Sequence, residues 1–144
     1  MDRARGFLGF SLLPEIYPVS IHVVYSDDEE RIGKFFSKAV GEDELVRQPC
    51  DITVRPDALV SSYGEHILME FRPDEKRGGA ALAALVAHEA VHASWRLERI
   101  VGDCFDMNIQ EPQCYFVQYL VGEITNRIWE HLEKRKKNGK RNKR

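Results

Sequence analysis

Residues 80–99 read Ala80-Ala81-Leu82-Ala83-Ala84-Leu85-Val86-Ala87-His88-Glu89-Ala90-Val91-His92-Ala93-Ser94-Trp95-Arg96-Leu97-Glu98-Arg99. A run this rich in Ala, Leu and Val predicts a helix buried on several sides. One polar group interrupts it. Burying two imidazoles and a carboxylate is costly unless they do something together. On a helix, positions i and i+4 share a face and lie about 6 Å apart along the axis. His88 and His92 can therefore aim at one point, with Glu89 beside that point rather than on it. The spacing H-E-x-x-H suits zinc: two neutral imidazoles hold the ion and the carboxylate takes a proton from bound water.

A catalytic zinc needs a third protein ligand and an open fourth position. Glu111 is the candidate. Eighteen residues separate it from His92, enough for the chain to leave one helix, turn, and return on another. The same carboxylate has a competing use, because Asn108 followed by Glu111 and Pro112 also resembles a capping box at a helix start. Tyr115 is one turn beyond Glu111 on the same face, where its hydroxyl can serve a ligand carboxylate or a developing oxyanion. Its bland alternative is a core tyrosine. Gln110 and Asp106 are lesser candidates for orienting the ligands, and Cys114 reads as a small buried residue.

Around this pair of helices the pattern is strand-like. Val19-Ser20-Ile21-His22-Val23-Val24-Tyr25 is rich in β-branched residues. Ser26 with Glu29 three residues on predicts a helix start, Ile32, Phe35, Phe36 and Val40 give it a core face, and Gly41 ends it. Short strands are expected at 50–55, 58–62 and 65–72, with turns at Pro56-Asp57 and Tyr63-Gly64. If 65–72 is a sheet edge, its backbone can pair with an extended peptide; the alternative is an inner or covered strand, and the sequence leaves both open. A polar loop over 72–79, the histidine helix over 80–99, a break near Gly102, and a last helix over 108–134 complete the chain. The expected fold class is α+β: a small mixed sheet packed on the histidine helix, followed by a second long helix carrying the third ligand. Residues 1–133 form one domain.

Charge is unevenly spread. The formal net charge is −2, yet residues 134–144 hold eight of the 21 Lys and Arg and no acid. That segment reads as a disordered basic tail, either solubilising or holding a polyanion such as nucleic acid. Three cysteines without CxxC spacing favour a reducing, cytoplasmic setting. Residues 6–13 have a faint leader-like run, but Asp2 and Pro14-Glu15 argue against a cleaved signal. No apolar run is long enough to span a membrane.

The group His88-Glu89-x-x-His92-x18-Glu111 resembles the gluzincin metallopeptidases. The local strings His88-Glu89-Ala90-Val91-His92-Ala93 and Asn108-Ile109-Gln110-Glu111-Pro112 look like those of small single-domain, phage-encoded members. The resemblance implies a minimal zincin-like architecture over residues 50–130 and Zn2+ as cofactor. It implies a peptide or protein substrate, with Glu89 as general base. The second helical domain of larger gluzincins has no counterpart here. Two other readings stand beside it: a non-catalytic zinc protein of a phage or mobile element serving assembly or binding, and a nucleic-acid-tethered protease. The H-E-x-x-H helix is also similar to that of SprT-like and repressor-cleaving metalloproteases.

Overall fold

The computed structural model describes residues 6–15, 17–42, 56–102 and 110–141. Within them the chain runs β1 (Leu8–Leu12), β2 (Ser20–Tyr25), α1 (Glu29–Val40), β3 (Ala58–Tyr63), β4 (His66–Phe71), α2 (Gly79–Val101) and α3 (Glu111–Arg141). The architecture is α+β, with a mixed four-stranded sheet in the order β1-β2-β4-β3. β2 and β4 are parallel, and β1 and β3 flank them antiparallel. The stretch expected as a strand at 50–55 lies outside the described residues.

Period-two alternation builds both faces of the sheet. Ile21, Val23, Tyr25, Ile67, Met69 and Phe71 point into the main core with α2 and α3. Their neighbours Val24 and Leu68 point the other way, into a smaller cluster closed by Ile32 and Phe36 of α1. β4 is thus covered on both faces and paired on both sides. Of the two readings open for 65–72, the inner, covered strand is the one found: among the described residues β3 is the outer strand there. The leader-like run is likewise a strand, β1, with Leu12 in the main core. Gly64, at φ +54°, makes the tight turn from β3 to β4.

α1 begins later than its sequence suggests. Asp28, not Ser26, caps it, its side chain accepting from the Arg31 amide at 3.1 Å, while Ser26 Oγ accepts from the Asp28 amide. The 72–79 loop is pinned by Arg77, whose guanidinium meets Asp57 at 3.2 Å and donates to the Arg72 carbonyl.

α2 packs over β3 and β4 and against α3. α3 presents Phe116, Leu120, Ile124 and Ile128 at four-residue spacing, all buried. Two contacts fix the helices antiparallel: Gln113 donates to Ser94 Oγ at 3.0 Å, and a Cβ on Gly79 would lie 3.4 Å from the Trp129 ring. α3 does not stop near 134. It continues through Arg141, so most of the segment expected as a disordered tail is helical. No described helix is long and apolar enough to cross a membrane.

Candidate metal centre

The centre of α2 turns two sides to different surroundings. Ala90, Ala93 and Leu97 enter the core, and Glu89, one step around the helix, goes in beside them at 6% exposure. His88 and His92 stay on the outer side, with the His88 side chain 68% exposed. Their rings stand edge to face with centroids 4.9 Å apart, and the two Nε2 atoms approach to 3.2 Å.

That separation tests the fit to a metal. With Zn–N bonds of about 2.0–2.1 Å and tetrahedral angles, two ligand nitrogens lie about 3.3–3.4 Å apart. The observed spacing is nearly that edge. Two ring nitrogens this close share either a hydrogen, one ring donating its Nε2–H to the other, or a cation. Glu89 Oε1 lies 4.0 Å from His88 Nε2, near the donors without occupying the point they share. Burial pushes the Glu89 carboxyl above its ordinary range, and the neighbouring His88 and His92 partly offset this. Trp95, one turn on, stands edge to face with His92 at a centroid distance of 5.2 Å and is itself half exposed.

The remaining candidates are not drawn into this group. Glu111 is the first residue of α3 and exposed. Since Gln113 faces Ser94 and the helices are antiparallel, Glu111 is level with about residue 96 of α2, roughly 6 Å along the axis beyond His92. Among the described residues, no group of three or more His, Cys, Asp or Glu side chains is placed to hold a metal ion. Tyr115 is 63% exposed and lines a cavity of about 410 Å³ with Leu13, Pro14, Tyr17, Phe116 and Tyr119. Cys114 is exposed, not buried. Asp106 and Asn108, and with Asn108 the capping-box alternative, lie outside the described residues.

A second histidine pair escaped the sequence reading. His22 is buried at 3% exposure, with Nδ1 2.8 Å from Ser11 Oγ and Nε2 3.0 Å from His66 Nδ1. This chain of hydrogen bonds crosses β1, β2 and β4 on the face that carries α1. Only the alternation of His22 against the core residues Ile21 and Val23 hints at it in the sequence. Comparison of the chain with family models, curated proteins and solved structures gives no match.

Proposed function

We propose that this chain is a zinc-dependent hydrolase, acting on peptide bonds, with Glu89 as its general base. One observation carries the reading: two imidazole Nε2 atoms 3.2 Å apart on an outer helix face, with a buried carboxylate 4.0 Å from one of them. His88 and His92 supply two donors in the arrangement seen, and Glu111 is proposed as the third, from the first turn of α3. Zinc bound there would lower the pKa of water toward 7 and polarise a scissile carbonyl. Glu89 takes the proton from the attacking water and passes it to the leaving amine. Its burial holds the carboxylate in place and away from bulk solvent. Tyr115 remains a proposed oxyanion donor only if a substrate reaches its cavity. An extended peptide would pair along β3, the outer strand over which α2 packs.

Metal content of the purified chain, measured by mass spectrometry, tests this. Zinc close to one per chain is expected in the parent and in Glu89→Gln, with loss in His88→Ala and a large reduction in Glu111→Ala. A parent chain that retains no transition metal after incubation with zinc overturns the reading.

A further inference from the structure

α3 is 31 residues long, about 46 Å, and longer than its packing partners require. Its contact with α2 extends to Trp129, opposite Gly79, the first residue of that helix. Just beyond it, His131 meets Gly6, and Leu132 and Arg135 line a pocket with Pro73, Asp74, Glu75 and Lys76. Arg135 reaches Glu75 at 3.9 Å. Past that point the described partner lies within α3 itself: Lys136 pairs with Glu133 at 2.9 Å and its ammonium stands over the Trp129 ring. The last turns therefore project from the body as a rod.

The chemistry of that rod is one-sided. Residues 134–141 are Lys-Arg-Lys-Lys-Asn-Gly-Lys-Arg, without an acid, an aromatic or an aliphatic side chain. A helix with no apolar face cannot bury itself in a lipid interface. Without aromatics it offers no platform for unpaired bases. Its backbone diameter with side chains, about 10–12 Å, matches the major groove of B-form DNA at about 12 Å. The deep, narrow major groove of an A-form duplex does not admit it. Residues 1–133 carry the opposite balance, with all 23 acids against 13 basic groups. A polyanion is therefore repelled by the body and attracted by the rod, which orients any encounter.

We infer that the end of α3, Lys134–Arg141, docks on B-form DNA through phosphate contacts without base readout. This goes beyond the hydrolase reading and does not depend on it.

The test is fluorescence anisotropy of a labelled 25-base-pair duplex of mixed sequence, titrated with the full chain between about 50 and 200 mM salt. Five or six phosphate contacts predict a slope of log K against log salt near −5, a loss of affinity of about a thousandfold across that range. A variant carrying Lys136→Gln, Lys137→Gln, Lys140→Gln and Arg141→Gln should weaken binding at least tenfold and flatten the slope by about 3 to 4. Circular dichroism of the variant establishes that its helices are kept. Parent-like binding by this variant overturns the inference. So does equal affinity for an A-form RNA duplex, or tighter capture by phosphatidylserine vesicles than by DNA.

Discussion

His22 shows how one side chain ties stability to pH. Burial, together with the nearby His66, lowers its pKa from 6.5 to about 4, so the folded protein keeps it neutral. The unfolded chain binds the proton more readily. Its contribution to stability is complete above pH 6.5 and is lost as pH falls toward 4, to a limit of about 3 kcal/mol. Urea unfolding at pH 7 and pH 5 should show this loss, and His22→Leu should remove that part of the pH dependence. An unchanged pH dependence in the variant would assign the effect elsewhere. At Glu89 the expected result is chemical rather than structural: Glu89→Gln keeps fold and metal but lowers turnover at least a hundredfold. Parent-rate cleavage by that variant would exclude Glu89 as the base. The contrast between the two histidine pairs explains what the sequence makes legible. His88 and His92 lie four positions apart on one helix, so local geometry alone brings them together. His22 and His66 are 44 positions apart and meet only through the register of β2 on β4. Spacing along a chain does not encode that register.

Among the elements, both long helices are readable because their apolar periodicity extends over many turns, while their ends are set by local chemistry. Asp28 shows the difference, taking the cap because its carboxylate reaches the Arg31 amide. Asp28→Ala should cost about 0.5–2 kcal/mol in urea unfolding, whereas Asp28→Asn, which keeps a capping oxygen, should cost little. β1 was hidden for another reason. It is five residues long, contains Gly9 and Ser11, and precedes a proline turn, so its apolar run is too short to declare a strand. The 72–79 loop owes its shape to Arg77, which is nearly buried and holds Asp57 and the Arg72 carbonyl. Arg77→Ala should accelerate limited proteolysis within 72–79, read by mass mapping of the first fragments; cleavage at the parent rate would show that other contacts hold the loop.

For the molecule as a whole, the class of fold follows from alternating strands and amphipathic helices, but strand order does not. The β2–β4 pairing brings together segments separated by α1 and β3, and the hairpin turn at Gly64 leaves β3 outermost among the described strands. The candidate centre divides along the same line. Its helix-borne part is present, while the place of Glu111 depends on how α3 slides along α2. Zinc, if held as proposed, binds the folded chain alone. A free zinc concentration a hundred times the Kd should then add about 2.7 kcal/mol, raising the Tm by roughly 8 °C. Differential scanning fluorimetry with and without zinc measures this, and His88→Ala should abolish the shift.

α3 joins the two ends of the molecule in one stiff body. Glu111 lies 18 residues before Trp129, about 27 Å away, and Arg141 lies 12 residues after it, about 18 Å away. Gln113 on Ser94, the buried Phe116, Leu120, Ile124 and Ile128, and Trp129 against Gly79 hold the first of these spans to the body along its length. Seen mechanically, the helix is a cantilever, one arm clamped and the other extending past the clamp.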